Sequence, residues 1–135
     1  MTGPAPAPPA ALDRVLLVQP GRRAVAVRNV GGTLALFDSH FPRFPVLPGV
    51  LLLESMAATA GLAAGDRQPW RLAAAQLVRF RHYVQPGDQV EITADVLAGA
   101  DPVTCSVTAA VDGRTVATVR RLRLAAVPTR AVAAT

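Results

Sequence analysis

Over most of its length the chain alternates apolar and polar positions with a period of two. Once, near the middle, the alternation gives way to a block that is apolar almost all round. Period two is the mark of half-buried strands. Leu12 to Val18 and Arg23 to Val30 read as the first pair, joined by Gln19-Pro20-Gly21-Arg22, which sets Pro-Gly at the centre of a turn. In the second strand Val25, Val27 and Asn29 share one face and Ala24, Ala26, Arg28 and Val30 the other. Arg71 to Val84 reads as a long strand, followed by a turn at Gln85-Pro86-Gly87-Asp88. Gln89 to Leu97 turns Val90, Ile92, Ala94 and Val96 inward and Gln89, Glu91, Thr93 and Asp95 outward. Val103 to Val111 and Arg114 to Val127 flank Asp112-Gly113, a strong two-residue hairpin signal.

The apolar block, VLLLESMAATAGLAAG, predicts a helix from Pro48 or Gly49 to about Gly65. Proline suits a first helical turn, where its missing N–H has no partner to lose, and glycine suits the residue just past the end. A helix apolar on nearly every face must be buried on all sides. One small sheet cannot cover it fully, so a dimer is expected. The fold class is therefore α+β, a curved antiparallel sheet around one long helix. Residues 37–49 carry prolines at 42, 45 and 48 and read as a stiff apolar loop. Residues 1–11 and 128–135 read as flexible tails, leaving 12–127 as a single domain.

With 51% apolar and 17% charged residues, the chain has the makings of one real core. No apolar run approaches the ~20 residues of a membrane span. The first residues lack the charged and apolar regions of a secretory signal, so a cytoplasmic, non-membrane protein is expected. A single cysteine, Cys105, excludes an internal disulfide and a cysteine-based zinc site, and with two histidines no metal is expected. All 14 basic residues are arginine, and the net charge is +5. That balance favours an acidic partner. Scattered arginines and 4% aromatics argue against nucleic acid.

Glu54 lies about two turns into the helix among leucines. A carboxyl in such surroundings either finds donors or stays protonated, and a protonated carboxyl can act as a general acid. The plainer alternative puts it on a narrow exposed stripe with Ser55 and Thr59. His40, between Ser39 and Phe41 in the proline-rich loop, has the residue type of a general base. Between them the helix start offers the N–H groups of Gly49 and Val50, which can bond a carbonyl oxygen as it gains negative charge. Base, acid and oxyanion donor are what removing an α-proton and expelling a β-hydroxyl require. His82 reads as a surface residue in a strand, Cys105 as core, and Asp38 as a pin for the loop.

HFPRFPVLPGVLLLESMAATAG, His40 to Gly61, resembles the signature of the FabZ-type 3-hydroxyacyl-acyl carrier protein dehydratases, HFPxxPxxPGVLxxE. LDRVLLVQPGRRAVAVRNV, VRFRHYVQPGDQVEITADV and VDGRTVATVRRLRL resemble that family's opening hairpin, strand–PGD–strand and closing hairpin. The resemblance implies a hot-dog fold and a dehydratase of type II fatty acid or polyketide synthesis. It implies His40 and Glu54 as the catalytic pair, contributed by opposite subunits of a dimer, and Gly49 as the holder of the thioester carbonyl. The substrate would be a 3-hydroxyacyl chain on a carrier protein's phosphopantetheine arm, with no other cofactor. Phe44, Leu47, Leu51 and Met56 are candidates for the acyl tunnel, and Arg79, Arg81, Arg120 and Arg121 for docking the acidic acyl carrier protein.

The sequence has Ser39 where the family commonly has glycine, and Ala58 where it has glutamine one turn past the glutamate. Arg43-Phe44 replaces a pair of small residues, and the Pro/Ala tail replaces a proline–histidine–arginine segment. These departures suggest a specialised relative serving a polyketide or polyene pathway. Two alternatives stand beside the dehydratase: a non-catalytic partner in a heterodimer, and a hot-dog thioesterase.

Overall fold

The computed structural model describes residues 10–31, 47–65, 69–99 and 102–127. The chain forms β1 (Arg14–Gln19), β2 (Arg23–Asn29), α1 (Gly49–Ala64), β3 (Trp70–Phe80), β4 (Gln89–Ala98), β5 (Val103–Val111) and β6 (Arg114–Ala126). The strands make one antiparallel sheet in the order β1-β2-β4-β5-β6-β3, with α1 packed against it. This is the one-helix, antiparallel-sheet arrangement that the apolar pattern predicted, and the hot-dog fold that the family resemblance implied. The segment expected as the proline-rich loop lies mostly outside the described residues, as do nearly all of the two expected tails.

Local chemistry explains the turns. Arg22 N–H bonds Gln19 O at 2.8 Å around Pro20-Gly21, and Asp88 N–H bonds Gln85 O at 3.0 Å around Pro86-Gly87. Proline fixes the first central residue, and glycine takes the positive φ of the second, +80° at Gly21 and +93° at Gly87. Asp112 and Gly113 both have positive φ, 52° and 79°, which matches the right-handed twist of the β5–β6 hairpin.

The core lies between the sheet and one face of α1. Leu52, Ser55, Met56, Thr59, Ala60 and Ala63 recur at helical spacing and are buried. Ala24, Ala26, Val90, Ile92, Ala94, Cys105, Val107 and Leu122 meet them from the sheet. The expectation of burial on all sides therefore fails for the single chain. Val50 is 71% exposed, Glu54 is exposed, and Ala57, Ala58 and Gly61 are only half-buried. As expected for one small sheet, the far side of the helix stays open.

Two features of the sheet depart from simple alternation. β3 ends at Phe80 rather than Val84, because the N–H groups of Arg81 and His82 both turn to Val116 O, at 2.7 and 3.3 Å. His82 is thus an exposed bend residue, not part of a strand. Val84 then drops into the core, and its carbonyl accepts the Leu47 N–H at 2.7 Å, tying the helix start to the sheet. In β6 the pairing with β5 slips by one between Leu122 and Val119. Such a bulge places two successive residues on the same side, so Arg120 and Arg121 are both exposed.

Candidate active site

The first turn of α1 is built to leave donors open. Pro48 is the N-cap and makes no side-chain cap bond, and the first turn holds no acidic residue. Leu51 and Leu52 N–H both return to Pro48 O, at 3.0 and 3.2 Å. Among the described residues nothing accepts from the Gly49 or Val50 N–H. These groups carry the positive end of the helix dipole. Gly49 is also where the Phe80 ring lies closest: a Cβ there would sit 3.0 Å from Phe80 Cζ and 3.3 Å from Cε1 and Cε2. Glycine at this position lets the ring lie against the helix start.

Glu54 lies one turn and a half further along, on the open side of the helix. It is exposed in the single chain, so the expected carboxyl buried among leucines is not what forms. The alternative stripe is not formed either. Ser55 and Thr59 are both 0% exposed, and Thr59 Oγ1 donates to Ser55 O at 2.9 Å. Ser55 Oγ accepts from Arg28 Nη1 at 2.8 Å and donates to Ala11 O at 2.8 Å. Arg28 Nη1 also donates to Leu51 O at 3.1 Å. One guanidinium thereby joins β2, the helix and the chain before β1. Sequence reasoning missed this cluster, although its signal was present: Arg28 shares its face with Ala24, Ala26 and Val30.

Beside Glu54 runs a groove of about 410 Å³. Ala57, Ala58, Gly61 and Leu62 of α1 line it, with Trp70, Leu72 and Leu124 of the sheet. Trp70 Nε1 donates to Gly65 O at 2.8 Å. Glu54 is the one charged residue among the described lining. The described candidate tunnel residues do not line this groove: Leu47 and Met56 are 6% and 0% exposed in the core, and Leu51 is half-buried against it. His40 and Phe44 lie outside the described residues.

A second groove, about 580 Å³, opens at the β3–β6 edge. Arg79, Arg81 and Arg120 line it with Thr108 and Thr118, and no acidic residue is among the described lining. Arg121 is exposed next to it on β6 but does not line it. Cys105 is buried in the core as expected, and burial, with help from the charge of Asp95, pushes its thiol up to about 11. No group of histidine, cysteine and acidic side chains among the described residues could hold a metal. No helix among them is long and apolar enough to cross a membrane.

The ApeI-like family, described as ApeI dehydratase, matches residues 18–120. The 3-hydroxyacyl-[acyl-carrier-protein] dehydratase FabZ of Ruminiclostridium cellulolyticum is 35% identical over 112 residues, covering 78% of this chain and 79% of that protein. FabZ of Symbiobacterium thermophilum is 43% identical over 93 residues, 64% of this chain and 65% of that protein. Among solved structures, the dehydratase heterocomplex ApeI:P from Xenorhabdus doucetiae has the same fold, with a TM-score of 0.72 at 19% identity over 92% of this chain and 87% of that one.

Proposed function

We propose that this chain, which belongs to the ApeI-like, FabZ-related family of hot-dog dehydratases, removes water from a 3-hydroxyacyl thioester carried by an acyl carrier protein. The observation that carries the reading is α1 itself: its first turn leaves the Gly49 and Val50 N–H groups without a partner among the described residues, and its open side sets the Glu54 carboxyl in the lining of an apolar groove. Those are an oxyanion donor, an acid and a place for a chain.

His40 takes the α-proton as base, and the electrons move to the thioester carbonyl, whose oxygen gains charge. The Gly49 N–H, reinforced by Val50 and the helix dipole, stabilises that oxygen. Glu54 acts as the acid, giving a proton to the hydroxyl on the β-carbon, which leaves as water. The double bond forms between the α- and β-carbons, giving a 2-enoyl thioester. The exposed side of α1 and the β3 edge, with Leu72, Leu77 and Phe80 all open, suit cover by a second subunit. In such a dimer His40 of one subunit serves Glu54 of the other. Arg79, Arg81, Arg120 and Arg121 form the basic face on which an acidic carrier protein docks.

A second reading has one specific observation behind it. Ala58 stands where the FabZ pattern has a glutamine that positions the acid, and this favours a partner subunit of a heterodimer over a self-sufficient enzyme.

The test is intact mass spectrometry of 3-hydroxyacyl carrier protein after incubation with the purified protein. Loss of one water, abolished by His40→Ala and by Glu54→Gln, is expected. No loss with chains of any length would overturn the self-sufficient dehydratase and leave the partner-subunit reading.

A further inference from the structure

Trp70 is the sole tryptophan of the chain, and two contacts hold it across the end of the groove. Its Nε1–H bonds Gly65 O at 2.8 Å, and its Cδ1 edge lies over Gly61, 3.9 Å from where a Cβ would be. Between Glu54 and this indole α1 presents Ala57, Ala58 and Gly61 to the groove, with no side chain longer than a methyl, while Leu62, Leu72 and Leu124 complete its described apolar lining. Small helix residues, apolar walls and an aromatic side chain held at Gly61 and Gly65 make a slot with a defined length. Resting on the function proposed above, we infer that Trp70 is the stop that sets how long an acyl chain this protein accepts.

The length can be worked out. Glu54 and Gly61 are seven residues apart, about 10.5 Å along the helix axis at 1.5 Å per residue. With C–C bonds of about 1.5 Å in a zigzag, each carbon advances roughly 1.3 Å, so about eight carbons fit beyond the one bearing the hydroxyl. The slot therefore holds a chain of about ten to twelve carbons. A longer chain meets the indole, which is anchored and cannot swing away without losing its bond to Gly65.

Because there is a single tryptophan, its fluorescence reports occupancy without any turnover. The probes are saturated pantetheine thioesters with one bromine on the acyl chain, which have no hydroxyl to eliminate. Quenching is expected to be weak with bromine near the thioester and strongest near about the tenth carbon. Uniform quenching along the chain, or none, overturns the inference.

Kinetics supply the second arm, as the ratio of kcat/KM for twelve-carbon over four-carbon 3-hydroxyacyl substrates. Trp70→Ala should raise that ratio by at least about tenfold, the effect of one or more methylenes gaining or losing room in an apolar pocket. Ala58→Leu, which leaves the Trp70 anchor untouched, should lower it by a similar factor and serves if Trp70→Ala does not fold. An unchanged ratio in both variants overturns the inference while the dehydratase stands. If the unaltered protein dehydrates nothing, the function reading fails, and the bromine profile alone decides whether the slot takes an acyl chain.

Discussion

Ser55→Ala should destabilise this protein far more than its size suggests. The hydroxyl is fully buried, accepts from the Arg28 guanidinium at 2.8 Å and donates to Ala11 O at 2.8 Å. Alanine fills nearly the same volume, so little cavity opens and the cost is mainly polar. A hydrogen bond to a charged group contributes about 1.5–3 kcal/mol and a neutral one about 0.5–1.5 kcal/mol, which gives about 2–4.5 kcal/mol in all. Against the 5–15 kcal/mol typical of a whole domain, roughly, that is a large share. Arg28 would keep Leu51 O at 3.1 Å, which sets the loss toward the lower half of the range. Urea unfolding is the assay, and with slopes of about 1–3 kcal/mol/M the midpoint should fall by about 0.7–3 M at unchanged slope. Arg28→Met should cost a comparable amount. The double variant should cost at least about 1 kcal/mol less than the two added together, since both remove the same bond. A Ser55→Ala loss below about 0.5 kcal/mol, or strict additivity, would refute the idea that this cluster pins the helix to β2 and the chain before β1.

Three further outcomes are expected. Gly49→Ala puts a methyl 3.0 Å from the half-exposed Phe80 ring; stability should shift by no more than about 1 kcal/mol because the ring and the helix start share the small displacement that relieves the contact. Dehydration should nevertheless fall at least about tenfold as the helix start is displaced, and Phe80→Leu in the same chain should restore part of it. Leu77 holds φ at 57° while 62% exposed, so Leu77→Gly should be neutral or stabilising by up to about 1 kcal/mol and Leu77→Val the least stable, the reverse of strand preference, as read from melting temperatures. The Cys105 thiol ordinarily ionises at 9.0 but in the fold only at about 11. The unfolded chain therefore binds fewer protons between those values, and stability falls as pH rises through that window, while below pH 9 the thiol contributes no slope. Denaturant titrations of Cys105→Ala should show a shallower decline over the same window.

Alternation carried the strands well, because most have one wet and one buried face. β5 was legible to the residue, since every second position from Val103 to Val111 is buried and both neighbours are hydrogen-bonded. β3 was not, because its end is set by Val116 O capturing two successive N–H groups, a partner some thirty-five positions away that no local pattern records. The place of β3 beside β6 was likewise beyond local reading. On the candidate site, the residue types and spacing of Gly49 and Glu54 were legible, but their exposure was not. A leucine-rich block reads as buried all round, and only the packed chain reveals which side the sheet claims. The groove beside Glu54 was not legible for the same reason. Large apolar residues such as Met56 went to the core, and the helix side of that groove is made largely by alanines and a glycine, which carry little signal of their own.

The strand order has a consequence for synthesis. β3 leaves the ribosome directly after α1, yet among the described residues it pairs only with β6, the last strand to emerge. At translation rates of about 5–20 residues per second, the nascent chain waits on the order of seconds with an apolar helix and an unpaired strand side by side. β4 and β5 can meanwhile zip onto the β1–β2 hairpin and cover one side of the helix, so the sheet grows outward from its first turn toward an edge finished last. The β3 edge is thus the last described part of the sheet to be completed, and it adjoins the surface proposed above for a second subunit, so that proposed assembly would wait on the arrival of the thirteen-residue β6.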